Sequence, residues 1–191
     1  LPGHDSHPDD LNAVKWQDWY GEAKIAYLSL RASCDQVWVG GESMGALLCL
    51  LLAAEFPEVA GLLLFAPALK VRRLKAAYLA QFFIKHLDKS QNSNDLEWKG
   101  YNVYPMKGAV QLLKLQNEVR RNLRKISQPT LVIVSEADQT VPVNTGEEII
   151  DAISSEVKQQ IVLQDAPHTM LLGDDNQQII DQAIGFILSI G

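Results

Sequence analysis

The chain has 191 residues, of which 47% are hydrophobic and 21% charged, so it can form one domain with a sizeable core. Its formal net charge of −6 argues against a nucleic-acid partner, because no basic face is large enough to neutralise a run of phosphates. The two cysteines give neither a disulfide framework nor a metal-binding spacing, and we predict no metal. The longest apolar run, 46–54, is too short to cross a bilayer and no signal-peptide pattern is present, so we predict no transmembrane segment and a cytoplasmic location.

The first long element is a predicted helix from Trp16 to about Ala32. Apolar residues recur in it at the spacing of one helix face, and an apolar strand follows at 37–40. The face of this helix consists of Trp16, Trp19, Tyr20, Ala23, Tyr27 and Leu30.

The sequence Gly-Glu-Ser-Met-Gly at 41–45 lies between that strand and a helix-prone run at 46–55. A strand, a sharp turn and a helix are the setting of a nucleophile elbow, in which the serine, here Ser43, adopts a strained backbone conformation. We predict that both glycines are required, because bulk two residues before or after the serine would clash. The pentapeptide alone is weak evidence, since it occurs by chance in roughly one chain in twenty of this length. The alternative is a glycine-rich turn whose serine caps the helix.

Three later apolar runs, at 61–65, 130–134 and 160–163, predict strands buried on both faces of a parallel sheet, because they are continuous rather than alternating. A capping box at 145–148 predicts a helix through Ile153, and Asp174 or Asp175 can cap a final helix. Strand and helix alternate, which predicts an α/β fold with a mostly parallel sheet. The apolar face of the final helix is predicted to be Ile179, Ile180, Ala183, Ile184 and Ile187.

The segment 67–128 is too long for a simple crossover between two strands. It contains an amphipathic stretch at 71–87, a polar turn at 91–94 and a second helical pattern at 106–124. We predict that 67–128 is an inserted helical cap on a core formed by 1–66 and 129–191. Its basic residues at 120, 121, 124 and 125 are predicted to form a solvated face. Its apolar residues either belong to the core or line an acyl-chain pocket: Leu79, Phe82, Phe83 and Leu87.

A nucleophilic serine needs a histidine base and a carboxylate that orients the base, in the chain order Ser, acid, His. Asp138 follows the strand at 130–134, and His168 follows the strand at 160–163. Because the carboxyl ends of parallel strands share one rim of a sheet, we predict that Ser43, Asp138 and His168 meet there.

Other residues could fill two of these roles. Glu136 and Asp165 are alternatives to Asp138 as the acid, but Glu136 is closer to the strand, and Asp165 is only three residues from His168. Asp138 is therefore preferred. The remaining histidines are predicted to lie elsewhere, His86 in a cap helix and His4 and His7 in a loop.

Short motifs along nearly the whole chain, at 1–4, 8–11, 16–19, 41–45, 65–67, 138–142 and 167–168, occur in the order of a known family. On these residues the chain resembles the α/β-hydrolase superfamily, and more narrowly the small bacterial carboxylesterases and monoacylglycerol lipases with a short helical cap. The resemblance implies an α/β-hydrolase fold and a triad of Ser43, Asp138 and His168. It also implies ester hydrolysis through an acyl-enzyme, with no cofactor.

The resemblance further implies an oxyanion hole in which the Met44 N–H donates one hydrogen bond. In the family the second donor comes from a His-Gly loop that precedes the part matched by Leu1. We therefore expect this sequence to be the C-terminal portion of a larger hydrolase. The elbow strand would then lie at an exposed sheet edge, through which a homo-oligomer could form.

The predicted function is hydrolysis of carboxylic esters, with small-molecule acyl esters such as acyl glycerols as the substrates. Two alternatives remain open. An acyl thioesterase uses the same triad, and a catalytically impaired hydrolase-like fragment would act only as a binding or structural module.

Overall fold

A computed structural model of the chain describes residues 1–4, 7–72, 74, 84–88, 103–172 and 176–190. The helices in these ranges are α1 (Pro8–Ala13), α2 (Trp16–Arg31), α3 (Met44–Glu55), α4 (Met106–Asn122), α5 (Asn144–Ala152) and α6 (Asn176–Ile190), and a 3-10 turn, Leu123–Lys125, follows α4. The strands are β1 (Trp38–Glu42), β2 (Gly61–Phe65), β3 (His86–Asp88), β4 (Val103–Pro105), β5 (Thr130–Ser135) and β6 (Lys158–Leu163). Strands and helices alternate through most of the chain, which confirms the predicted α/β class.

Four parallel strands form the main sheet in the order β1-β2-β5-β6. β5 is buried along its whole length and β2 along most of it, as their continuous apolar sequences predict. β6 is different, because Val162 is 41% exposed and the two residues that open the strand are exposed as well. The prediction that β6 is buried on both faces is wrong. Within the described residues β6 is an edge strand, and packing against its faces is incomplete.

The sheet separates two layers of core. Along β5, Val132 and Val134 face a layer built by α2, α3, α4 and α5, and Leu131 and Ile133 face a layer built by α6. This alternation follows from the two-residue period of a strand. Buried residues at the centre of the first layer include Leu47, Leu50, Leu115 and Ile149, and those of the second include Met170, Ile179, Ala183 and Phe186.

α3 is apolar on all sides, and its residues 46–53 are all buried. A helix of this kind needs cover around its whole circumference. The sheet supplies part of it, and α2 and α4 supply the rest. Among the described residues, no helix combines the length and the hydrophobicity needed to cross a membrane.

α2 matches its predicted extent, but the predicted buried faces of α2 and of the final helix, α6, are only partly correct. α2 buries Trp19 and Tyr27 as predicted, whereas Leu30 is exposed. α6 buries Ile179 and Ala183, but the prediction is wrong for Ile180 and Ile184, which are exposed. The buried stripe continues instead to Phe186, which keeps the i, i+4, i+7 spacing of one helix face. The candidate caps Asp174 and Asp175 lie outside the described residues.

The predicted capping box at the start of α5 is wrong. The helix begins at Asn144, preceded by Val143, which makes no side-chain cap hydrogen bond. Thr145 is therefore inside the helix, where it is buried and its hydroxyl makes no hydrogen bond.

The segment 67–128 contains both strand and helix. The helical pattern at 106–124 is confirmed by α4, which packs on α3 through Leu115 and Val119. His86 lies in β3, paired with Pro105 of β4, so its predicted place in a helix is wrong. The predicted polar turn and the side chains of Leu79, Phe82, Phe83 and Leu87 fall outside the described part, and the division into core and cap stays a prediction.

Candidate active site

Ser43 lies at the turn between β1 and α3 and has φ 55° and ψ −114°. A positive φ is unfavourable for a residue with a side chain, so surrounding contacts must hold this conformation in place. The Ser43 N–H donates to the carbonyl of Phe65 at 2.9 Å, and the Ser43 carbonyl accepts the N–H of Ala68 at 3.1 Å. The end of β2 and the loop after it therefore hold the serine backbone on both sides.

The two glycines of the elbow are not equivalent. A Cβ on Gly41 would lie 2.5 to 2.8 Å from backbone atoms of Gly45 and Ala46, so only glycine lets α3 approach the strand this closely. This confirms the prediction for Gly41. A Cβ on Gly45 would meet no atom within 4 Å in the described structure, so the prediction that bulk is excluded there is wrong.

α4 supports the loop that holds Ser43. Nε2 of Gln116 donates to the carbonyl of Ala68 at 2.7 Å, and Nη2 of Arg120 donates to the carbonyl of Leu69 at 2.5 Å. Gln116 is 4% exposed, so its hydrogen bond is shielded from water. Arg120 also pairs with Glu148 at the surface, and all four residues of the basic cluster are exposed, which confirms the predicted solvated face.

The structure brings together the three residues that sequence reasoning selected. His168 Nε2 lies 3.0 Å from Ser43 Oγ, and His168 Nδ1 lies 2.8 Å from Asp138 Oδ2. Each residue follows a different strand of the sheet, at its carboxyl end. The Asp138 side chain is 2% exposed and that of His168 is 18% exposed, so the contact on the carboxylate side is the more deeply buried.

The hydrogen bonds around Asp138 determine which ring nitrogen of His168 carries a proton. Burial opposes ionisation of Asp138 and is the largest single influence on its pKa. The hydrogen bond and charge of His168 and the N–H groups of Val141 and Thr140 outweigh burial, and the pKa lies below its usual value. An ionised carboxylate can only accept, so Nδ1 of a neutral His168 carries the hydrogen. Nε2 then accepts the hydroxyl proton of Ser43.

The other candidates considered from sequence lie in different surroundings. Glu136 and Asp165 are exposed, whereas Asp138 is the carboxylate hydrogen-bonded to the ring of His168. The ring of His4 packs edge-on against Trp19 with centroids 5.9 Å apart, and His7 accepts the N–H of Asp9 at the start of α1.

Met44 is the first residue of α3. The N–H groups of a first turn have no acceptor within their own helix, and they carry the positive end of the helix dipole. The Met44 N–H is thus chemically suited to stabilise negative charge that develops beside Ser43 Oγ. Its role in an oxyanion hole stays a prediction.

Sequence reasoning missed Glu42, the residue directly before the serine. Its Oε1 accepts the N–H of Leu171, in the loop that follows His168, at 3.1 Å. Burial raises the pKa of Glu42, although the N–H groups of Leu171 and Met170 and the charge of His168 oppose that shift. A charged residue at the last position of an otherwise apolar strand is the signal that could have drawn attention to it.

Relatives with known activities match this chain over nearly its full length. A thermostable monoacylglycerol lipase of Bacillus sp. (strain H-257) is 26% identical over 190 residues, which are 97% of this chain and 76% of the relative. A carboxylesterase of Bacillus subtilis (strain 168) is 22% identical over 188 residues, with 95% of this chain and 76% of the relative covered.

Solved structures of hydrolases and a hydrolase family model also match this chain. A metagenome-derived lipolytic enzyme superposes with a TM-score of 0.89 at 27% identity, over 99% of this chain and 80% of its own. The monoacylglycerol lipase of Paleococcus ferrophilus has a TM-score of 0.75 at 16% identity, over 100% of this chain and 82% of its own. The Hydrolase_4 family model, described as serine aminopeptidase, S33, matches residues 101–176. The parallel sheet flanked by helices, the family model and these relatives together identify the fold of the chain as that of the α/β-hydrolases.

Proposed function

We propose that the chain is a serine hydrolase that cleaves carboxylic esters, with Ser43 as nucleophile, His168 as general base and Asp138 as the residue that orients the base. The observation that carries the proposal is the continuous hydrogen-bonded series from Asp138 Oδ2 through both ring nitrogens of His168 to Ser43 Oγ. Nucleophile, base and orienting carboxylate within hydrogen-bond reach of one another are the signature of an activated serine.

The mechanism follows from the positions of the protons. Nε2 of His168 takes the hydroxyl proton as Ser43 Oγ attacks the carbonyl carbon of the ester, and the imidazolium then gives that proton to the leaving alcohol. Asp138 holds the ring in the required tautomer and stabilises its positive charge, without itself taking a proton. Water then attacks the acyl-enzyme, and His168 acts as base a second time.

The negative charge on the carbonyl oxygen develops at the amino end of α3. We assign the Met44 N–H one hydrogen bond to the oxyanion, because Met44 directly follows the nucleophile and is the first residue of α3. A donor of this kind contributes on the order of a hundred- to a thousandfold in turnover.

The proposed substrates are monoacylglycerols and other small acyl esters. Support comes from two curated relatives, one named a monoacylglycerol lipase and the other a carboxylesterase, each matched over more than nine-tenths of this chain. The family model carries a peptidase name but matches only 101–176, so ester hydrolysis is the better-supported activity.

The test compares the wild-type protein with Ser43→Ala and with Ser33→Ala, in which the replaced serine lies on an exposed turn. We expect the wild type and Ser33→Ala to hydrolyse p-nitrophenyl esters and monoacylglycerols and to be labelled by an organophosphonate. In Ser43→Ala turnover should fall by about five to six orders of magnitude, and labelling should disappear.

A panel of substrates separates the alternatives. Faster turnover of acyl thioesters than of matched esters would identify a thioesterase, and turnover of amino-acid p-nitroanilides alone would identify an aminopeptidase. A folded wild-type protein that neither turns over any of these substrates nor reacts with the phosphonate would be a binding or structural module. Each result would replace the proposed esterase function.

A further inference from the structure

Glu42 joins the strand that carries the nucleophile to the loop that carries the base. It is the last residue of β1, and its Oε1 accepts the backbone N–H of Leu171 at 3.1 Å. Leu171 lies only three residues after His168. The neighbouring N–H of Met170 also acts to lower the pKa of the same carboxylate. Glu42 therefore links the end of β1 to the histidine loop through the Leu171 N–H.

The histidine loop has two further attachments, and both lead toward α6. Met170 is 2% exposed and packs in the core layer between the sheet and α6. The carbonyl of Leu171 accepts a hydrogen bond from Nδ2 of Asn176, the first residue of α6, at 3.1 Å. The backbone of Leu171 is thus held at its carbonyl by α6 and at its N–H by β1. Of these contacts, the one from Glu42 connects the loop to the strand that leads to Ser43.

Burial of Glu42 makes its ionised form unfavourable for the stability of the fold. Burial is the largest influence on its pKa and raises it, and the charge of Asp138 acts in the same direction. The N–H groups of Leu171 and Met170 act in the opposite direction, as does His168 when it is protonated. The interactions that favour the charged form thus come from His168 and the loop that follows it.

We propose that Glu42 is a positioning residue for the base: through the Leu171 N–H it holds the histidine loop against the elbow strand and so maintains the contact between His168 Nε2 and Ser43 Oγ. This link is separate from the hydrogen bond between His168 and Asp138, which fixes the ring but not the distance of its loop from β1. The inference rests on the proposed function, because it assigns a further residue to the same site.

The expected kinetic effect is on turnover. A displacement of about 1 Å at reacting atoms costs about a hundredfold in rate. Removing the acceptor should therefore lower kcat about 10- to 100-fold. The carboxylate is engaged by the loop rather than by the substrate, so KM for p-nitrophenyl butyrate should change less than about twofold.

Four variants test the assignment, with kcat, KM and the hydrogen exchange of the Leu171 amide measured for each. Glu42→Leu removes the acceptor, and Glu42→Asp keeps the charge but withdraws it by one methylene. Glu42→Gln retains an oxygen that can accept the same N–H. Asn176→Ala is the matched control, because it releases the same peptide from α6 and not from β1. In Glu42→Leu and Glu42→Asp we expect the Leu171 amide to exchange faster and kcat to fall. In Glu42→Gln both quantities should stay near their wild-type values. In Asn176→Ala kcat should stay near the wild-type value.

Two results would overturn the inference. One is unchanged Leu171 exchange or unchanged kcat in Glu42→Asp, which also decides the matter if Glu42→Leu does not fold. The other is an equal loss of kcat in Asn176→Ala, which would mean that any loosening of the loop has this effect. A different result would contradict the proposed function itself: ester hydrolysis that persists in Ser43→Ala. In that case Leu171 exchange still decides whether Glu42 holds the loop.

Discussion

Two carboxylates beside His168 have their pKa values shifted in opposite directions. Asp138 is almost fully buried, yet its pKa is lowered, because the His168 ring and two backbone N–H groups outweigh the effect of burial. Glu42 is less buried, yet its pKa is raised, because burial outweighs the N–H groups and the His168 charge that favour ionisation. Direct partners, more than depth of burial, therefore decide in which direction the pKa of a carboxylate beside a base is shifted.

The largest effect should come from removing the charge of Asp138 while keeping its shape. Asp138→Asn can still accept the N–H groups of Thr140 and Val141 through its amide oxygen, but it no longer holds the His168 ring in the required tautomer. We expect kcat for p-nitrophenyl esters to fall by about four orders of magnitude. Glu42→Gln is the matched control and should retain most activity. Equal losses of kcat in Asp138→Asn and Glu42→Gln would contradict the different roles given to the two carboxylates.

The Glu42 side of the site can also be disturbed without changing either carboxylate. Gly41→Ala places a methyl group against the backbone of Gly45 and Ala46, which displaces the elbow while leaving the Asp138 loop unchanged. We expect a loss of about 1–3 kcal/mol in the free energy of unfolding, measured by urea denaturation. Labelling of Ser43 by the phosphonate should also slow. If this variant were as stable as the wild type, a small shift of α3 away from β1 would be enough to accommodate the added methyl group.

A smaller effect distinguishes the two carboxylates by pH. The raised pKa of Glu42 means that its ionised form destabilises the folded state, and this cost vanishes as the pH falls below the ordinary value of 4.5. The lowered pKa of Asp138 means that its ionised form contributes stability above the ordinary value of 3.8, and this contribution is lost as the pH falls further.

The measurement is the urea midpoint of the wild type and of each amide variant as a function of pH. As the pH falls from neutral to about 4, the wild type should gain stability relative to Glu42→Gln. Below about pH 4 it should lose stability relative to Asp138→Asn. If the difference in urea midpoint between the wild type and each amide variant changed with pH in the same direction for Glu42→Gln and Asp138→Asn, the opposite pKa shifts would be contradicted. Since His168 interacts with both carboxylates, both pairs should be measured in the same buffers.

The smallest effect is expected at the second glycine of the elbow. Gly45→Ala puts a methyl group where no described atom lies within 4 Å, and alanine is the better helix former. We expect a gain of about 0.4–1 kcal/mol in stability and unchanged kcat. Loss of activity in this variant would mean that Gly45 leaves room for the substrate, and that the sequence-based requirement for two glycines has a different cause from the one predicted.

Much of the fold could be predicted because single elements are strongly patterned. The run Gly61 to Phe65 is apolar throughout and forms β2 with these bounds, and the periodic stretch from Trp16 predicts α2 to within one residue. Orientation was harder to predict. Ile180 and Ile184 are as apolar as Ile179, and only the position of the sheet shows which of them are buried.

The residues of the candidate site also fall into a group that could be predicted from sequence and a group that was missed. Ser43, Asp138 and His168 could be selected because each follows a strand and each has a side chain that suits its role. Glu42 was missed because its partner is a backbone N–H, which has no residue-specific signal in a sequence, and only its charge at the end of an apolar strand marked it. Gln116 was missed for the same reason, since it donates to the carbonyl of Ala68.

The hydrogen bonds from α4 to the loop after β2 bear on protein engineering. Gln116 and Arg120 hold the carbonyls of Ala68 and Leu69, and the Ala68 N–H in turn holds the Ser43 carbonyl. A chimaera that exchanges the chain between these anchors for that of another hydrolase should therefore keep Ala68, Leu69, Gln116 and Arg120 from the host. With junctions placed inside those four residues, substrate range could be varied while the backbone support of the nucleophile stays intact.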